Sequence, residues 1–333
     1  MRMLRIGHTN DAISAAGLGC MGMSGGYGPV DDAESIATIH AALDAGITFI
    51  DTGDFYGMGH NEMLLGEALK GGKRRRAFLS VKFGNLRGPD GTQYGYDLRP
   101  AAVKNFLAYS LRRLKTDYID LYMPARYDRS VALEETLGAI FDLQTAGYVR
   151  HIGLSEVSAR TLRRAAAVYP VTALQIEYSL LSRGIEKEIL PTVRELKIPI
   201  VAYGVLSRGL ISDATLVDGG RNGGEIRSRM PRFSTQNLPR NCELIDALSK
   251  SAQVRGVTTA QLAFAWLRSR GDDIVALIGA RRRDQLSEAL AGLEITLTQE
   301  ELAAIEQAAP QGAAAGERYG PLAMKHLDSE LPG

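Results

Sequence analysis

No apolar run in this 333-residue chain approaches the roughly 20 residues that span a bilayer. The start, MRMLRIGHTNDAIS, lacks the long apolar core of a secretory signal, so a cytoplasmic protein that spans no membrane is expected. Cysteine is scarce. Cys20 and Cys242 lie far apart, which excludes a disulfide framework and suits a reducing compartment. His8, His40, His60, His151 and His326 are scattered, and with no close His/Cys/carboxylate set no metal site is expected. Net charge is almost missing: 39 basic against 38 acidic residues leave +1, no field to draw the chain to nucleic acid or anionic lipid. Linker-like boundaries and repeats beyond a strand–helix unit are absent as well, so residues 1–333 read as one domain.

What is present is an alternation. Short β-branched and apolar runs at Phe49–Asp51, Phe78–Lys82, Ile119–Met123, Arg150–Leu154, Ala173–Ile176, Pro199–Tyr203 and Asp273–Gly279 follow an opening strand near Gly17. Amphipathic segments separate them, near Asn61–Leu69, Pro100–Leu114, Val131–Ala146, Ala159–Val168 and Ile185–Leu196. Strict alternation demands a parallel sheet with right-handed crossovers, and eight units predict an α/β fold of the (β/α)8 TIM-barrel type. A doubly wound open sheet is the alternative. Two stretches rich in Gly, Pro, Arg and Ser, 84–97 and 204–241, break the rhythm after a strand, where long loops cover ligands on the barrel's C-terminal face.

Gly17-Leu18-Gly19-Cys20-Met21-Gly22 fits the GxGxxG dinucleotide fingerprint letter for letter. That fingerprint works because its third glycine opens a helix whose N-terminus meets the pyrophosphate. The chain instead runs on as MSGGYGPV, which cannot start one, so a turn at the end of the first strand is the better reading.

The chemistry-bearing residues lie elsewhere. GITFIDTGDFYG, Gly46 to Gly57, sets Asp51 and Tyr56 just beyond a short strand, and Lys82 follows on the next strand in AFLSVKFG. A carboxylate that keeps an amine charged beside a phenol suits proton transfer, because the ammonium is expected to lower the phenol's value from its ordinary ~10. This spacing, together with YVRHIGLSE (Tyr148–Glu156) and QIEYSLLSRG (Gln175–Gly184), resembles the aldo-keto reductases from Leu18 to about Tyr319. The resemblance implies NADPH-dependent reduction of a small aldehyde or ketone, with Tyr56 as proton donor and Lys82 and Asp51 tuning it.

It also implies a cofactor site on the later strand ends. Ser155 and Gln175 would bond the nicotinamide carboxamide, with strand-end capping as the structural alternative, while Glu156 replaces the asparagine common at this point. Tyr203 resembles the aromatic on which the nicotinamide stacks. Leu206, Ser207, Arg208 and Gly209 resemble the loop around the pyrophosphate, and Gly279 opens the segment that grips the adenosine end. There Arg281 and its two neighbouring arginines suit a 2′-phosphate and so NADPH rather than NADH, and Gln285 and Glu288 would meet the adenine.

One family element is missing. The histidine a few residues after DLY is replaced by Ala125 in Asp120-Leu121-Tyr122-Met123-Pro124-Ala125-Arg126. Loss of one such donor typically costs on the order of 10²-fold in rate. A different donor, a site tuned to particular substrates or a substitution would each fit, and Pro124 beside Ala125 favours the first. Arg126 is a candidate substitute, but strand alternation is expected to point it away. The gap also supports a second function, a cofactor-binding redox sensor or regulatory subunit with weak catalysis. Met21, Tyr27, Phe55, Tyr94 and Tyr96 are expected to form an aromatic rim for a planar or apolar carbonyl, or simply to pack the loops. Arg318 and Tyr319, in the tail, either fold back over the barrel mouth or fray. Oligomeric state is not legible in this pattern.

Overall fold

The computed structural model describes residues 1–212 and 226–331. Its strands, in chain order, are β1 (Met3–Arg5), β2 (Ala12–Ser14), β3 (Ala16–Gly19), β4 (Phe49–Gly53), β5 (Phe78–Phe83), β6 (Asn85–Arg87), β7 (Gln93–Tyr96), β8 (Ile119–Pro124), β9 (Val149–Ser155), β10 (Val171–Glu177), β11 (Ile200–Tyr203) and β12 (Ile274–Gly279). β1 pairs with β2 and β6 with β7, both antiparallel. The other eight form a closed parallel barrel in the order β3-β4-β5-β8-β9-β10-β11-β12, with β12 returning to β3. The predicted (β/α)8 barrel is therefore observed, strand for strand.

The barrel closes because its strands bury both faces, as parallel strands must when helices cover them. Every residue of β10 is buried, and the same holds for β4 and β8. Inside, Phe49, Leu121, Met123, Ala173, Val201 and Val275 pack together with Ile6 and Ile13 of the N-terminal segment. That segment and its hairpin had no clear signature in the sequence, since strands of three residues are too short to show a period. Gly17 serves this packing: a Cβ there would meet Phe49 Cδ1 at 2.8 Å. The next helix opens only at Asp32, so the rejected dinucleotide fingerprint is indeed a strand and its turn.

Two segments differ from expectation. The loop over 84–97 contains the β6–β7 hairpin, which projects from the barrel's C-terminal face. The helix expected over Ile185–Leu196 is a single 3₁₀ turn, Gly184–Glu186, and then a helix Ile189–Glu195. Pro191 lacks an N–H and is tolerated only in a first turn, which sets where that helix can begin. Part of the second long loop, 213–225, lies outside the described residues. No helix among the described residues is long and apolar enough to cross a membrane.

Candidate active site

Asp51 and Lys82 meet at the mouth of the barrel because β4 and β5 are neighbours, in a register that opposes Asp51 to Ser80 and Gly53 to Lys82. Lys82 Nζ donates to Asp51 Oδ2 at 2.5 Å and to the Thr52 carbonyl at 3.0 Å. The other Asp51 oxygen accepts from Ser80 Oγ at 3.0 Å and, across the barrel, from Gln175 Nε2 at 2.8 Å. Both charges are buried, 2% and 4% exposed, so the pair is shielded from solvent screening.

Tyr56 arrives on a left-handed turn in which Gly57, Met58 and Gly59 all have positive φ. A side chain at Gly57 would also approach Ser24 Cβ at 2.9 Å. Asn61 holds this turn to the rim: it accepts from Thr52 Oγ1 at 2.6 Å and donates to the Cys20 carbonyl at 2.8 Å and Ser24 Oγ at 2.7 Å. The result brings Lys82 Nζ to 5.2 Å from the centre of the Tyr56 ring, and Phe55 packs edge-on against it at 4.8 Å.

The electrostatics correct one expectation. Burial is the strongest single influence on Lys82 and works against its ammonium, but the charges of Asp51 and Tyr56 and the hydrogen bonds to both together outweigh it, so Lys82 holds its proton more tightly than a free lysine. For Tyr56, burial raises the phenol above its ordinary value, and the pull of Lys82 in the other direction does not overcome it. The phenol therefore keeps its proton across the neutral range instead of being made acidic. Desolvation penalises a phenolate more strongly than the nearby Lys82 cation favours it, and the negative charge of Asp51 adds to the penalty.

A second charged network covers the mouth. Arg318, in the C-terminal tail, donates to Glu156 Oε2 at 2.8 Å, Glu156 Oε1 at 3.1 Å and Glu177 Oε2 at 3.2 Å. Glu156 also accepts from Tyr203 Oη at 2.7 Å and Ser329 Oγ at 2.7 Å. Burial alone would raise the Glu156 carboxyl, but the Arg318 guanidinium holds it far below the usual carboxylate range. Tyr319 Oη lies 2.9 Å from Tyr203 Oη and accepts from Arg208. The tail thus folds back over the barrel, pinned also by Asp328, which accepts from the Ser158 N–H at 2.8 Å.

A family model described as "Aldo/keto reductase family" matches residues 15–310. The chain belongs to the aldo/keto reductase family. It is 37% identical over 327 residues to the Schizosaccharomyces pombe aldo-keto reductase yakc, whose name specifies NADP(+), covering 97% of this chain and 96% of that one. It is 39% identical over 319 residues to a probable aldo-keto reductase 1 of Glycine max, covering 95% and 91%. Among solved structures, a glycerol dehydrogenase from Gluconobacter oxydans superposes with a TM-score of 0.80 at 29% identity, over 99% of this chain and 97% of that one. The holo form of an aldo-keto reductase from Bacillus halodurans gives 0.76 at 27% identity, over 95% and 98%.

The residues that resemble the family's cofactor site end the later barrel strands, but several are already engaged. Ser155 Oγ is buried at the end of β9 with no hydrogen-bond partner among the described residues, an orphaned polar atom that suits a bound amide. Gln175 has committed its amide nitrogen to Asp51. The ring of Tyr203 carries the Arg208 guanidinium 5.1 Å from its centre. In the turn after β11, Ser207, Arg208 and Gly209 all have positive φ. The N–H groups of Ser207 and Gly209 are satisfied by the carbonyls of Gly204 and Leu206 rather than exposed.

At the adenosine end, Gly279 closes β12 and is exposed. Arg282 pairs with Asp284 and Arg283 with Glu34, at 2.8 and 2.9 Å, whereas Arg281 donates to the Pro29 carbonyl at 3.0 Å. Gln285 accepts from the Arg281 N–H at 3.1 Å, and Glu288 accepts from Thr258 Oγ1 at 2.8 Å. Of the expected rim, Tyr27 accepts from Arg208 at 3.5 Å and Phe55 lines Tyr56, but Tyr94 is 67% exposed on its hairpin.

Ala125, which on the resemblance replaces a histidine, donates its N–H to the Phe83 carbonyl at 2.9 Å. Arg126 does not point away as alternation would have it. β8 ends at Pro124, so the period of two no longer applies, and the guanidinium folds back to donate to the Ala125 carbonyl at 2.6 Å and to lie 5.7 Å from the Tyr319 ring centre.

Asp54, Glu62 and Arg113 form a cluster behind Tyr56 that the sequence reading missed, although Asp54 sits inside the GDFYG string. Asp54 is 8% exposed, and among the described residues neither of its oxygens has a partner of good geometry. Burial, reinforced by the charge of Glu62, pushes its carboxyl up to about 8. A carboxyl with a raised value stabilises the fold at acid pH and loses that contribution as pH rises through about 8. Asp54→Asn should therefore gain unfolding free energy relative to wild type, by at least ~1 kcal/mol between pH 5 and pH 8.5 in paired urea titrations. A difference that stays constant over that range would rule out a buried, protonated Asp54.

Proposed function

We propose that the protein reduces a small aldehyde or ketone to the alcohol with NADPH, and that Tyr56 gives the carbonyl oxygen its proton. The observation that carries this reading is the buried Asp51–Lys82 pair set against the Tyr56 ring on adjoining strand ends. Bound NADPH would supply the hydride. The chain's own part is to hold a proton at Tyr56 Oη, to orient the substrate and to limit water.

A phenol that retains its proton at neutral pH is an acid in waiting, which favours reduction over the reverse reaction. Lys82 stabilises the phenolate left after transfer, and Asp51 keeps Lys82 charged and aimed. Ser155, Gln175, Tyr203, the Leu206–Gly209 turn and the Gly279–Glu288 segment are the groups that would hold the cofactor. The orphaned Ser155 hydroxyl supports that fit. Arg281 is the first arginine after the end of β12, and on the resemblance to the family it is the one assigned to the 2′-phosphate. Arg281→Ala should cut the preference for NADPH over NADH by about 10- to 100-fold, the worth of a charge-assisted bond, read as the ratio of kcat/KM values. An unchanged ratio would remove Arg281 from the site.

Ala125 favours a second reading, a cofactor-binding sensor with weak chemistry. Rapid mixing of the NADPH complex with a reactive aldehyde separates the two. Absorbance loss at the background rate supports the sensor, and loss that depends on Tyr56 supports the reductase.

A further inference from the structure

Arg126 stands at the end of β8, beside the strand that carries Lys82, and its guanidinium reaches inward over the mouth. Stacking on the Tyr319 ring, 5.7 Å from its centre, orients the group without using its N–H donors. Of the five N–H bonds a guanidinium offers, one is used among the described residues, to the neighbouring Ala125 carbonyl at 2.6 Å.

Nor does its charge have a direct ion-pair partner among the described residues. Arg318 has Glu156 and Glu177, while Arg208 and Arg232 lie 3.6 and 3.9 Å from Glu177. Arg126 has no carboxylate within 4.0 Å among the described residues. Glu156 faces it electrostatically but is already bonded by Arg318 and Ser329. A half-buried cation with spare donors calls for an anion from outside the chain, and low local polarity strengthens that attraction.

The cofactor's phosphates are a poor match for this role. The segments assigned to them follow β11 and β12 and bring an arginine of their own, Arg208, to the same Tyr319 ring, 5.4 Å from its centre, whereas β8 adjoins the Lys82 strand directly. We propose that Arg126 is a specificity-determining residue that receives the carboxylate of a substrate bearing both a carboxylate and a reducible carbonyl. The inference rests on the reductase reading given above and names its substrate class. A planar carboxylate matches the guanidinium fork, and Ala125, with only a methyl group, offers no competing donor.

The test compares 4-carboxybenzaldehyde with its neutral methyl ester, methyl 4-formylbenzoate, using full-length protein and NADPH. Wild type should favour the acid in kcat/KM by about tenfold or more, Arg126→Ala should lower that ratio by about 10- to 100-fold, and Arg126→Lys should retain part of it. Because both substrates are read in the same variant, a general loss of folding cancels in the ratio. A wild-type enzyme indifferent to the carboxylate, or an Arg126→Ala ratio equal to wild type, overturns the proposal. Should neither aldehyde be reduced, the reductase reading fails, and calorimetric titration with benzoate still decides this one. Binding abolished by Arg126→Ala upholds the carboxylate site, and binding that is absent or equal in the two proteins overturns it.

Discussion

Tyr56→Phe is expected to lower the rate of NADPH oxidation by an aldehyde by a factor on the order of 10²–10⁴, the usual worth of a positioned proton donor. The change removes one oxygen and keeps the ring that packs edge-on against Phe55. The loss should fall on kcat in single-turnover measurements, because the proton is needed only as the carbonyl oxygen gains charge. Burial makes the expectation sharp: a phenol held above its ordinary value stays protonated at neutral pH, so the wild-type acid is present in full. A variant within threefold of wild type would mean that another group delivers the proton, and the role assigned to Asp51 and Lys82 would go with it.

Arg318→Ala should cost about 3–5 kcal/mol of stability, the range measured when one partner of a buried ion pair is removed. Glu156 is fully buried and Glu177 is 4% exposed, and without Arg318 each loses its strongest bond to a cation. The pH dependence carries a distinct sign. The depressed value of Glu156 contributes stability above its ordinary 4.5 that is lost as pH falls below it. Arg318→Ala should remove that contribution, so the two proteins converge in stability as the solution is acidified. Adding Glu156→Gln to Arg318→Ala should recover part of the loss, since the uncompensated charge is then gone. Chemical denaturation at pH 7 and pH 4 measures all three, and a loss under ~1 kcal/mol at pH 7 would show that the tail is not held by this pair.

Much of the site was legible because the family's motif is local in its logic. Asp51, Tyr56 and Lys82 fall on two consecutive strands, and parallel neighbours must bring their C-terminal ends together. Arg126 was misjudged for a comparable reason: alternation holds only while the strand lasts, and Pro124 is its final residue. The Glu156–Arg318 pair spans 162 positions, and no spacing rule reaches that far. Its partners were visible singly, one as a departure from the family's asparagine and one as a charge in a tail that had equal reason to fray.

The sequence by itself determined the barrel, through eight apolar runs separated by amphipathic segments, and it determined which residue types stand at the strand ends. Tertiary structure alone decided how those residues behave: that Tyr56 keeps its proton, that Asp54 holds one near neutrality, that the tail closes on Glu156 and that Arg126 is left with donors to spare. The division has a physical cause. Hydrophobic periodicity acts between near neighbours in the chain, whereas burial and charge pairing depend on what folding places alongside a group, often from a hundred or more residues away.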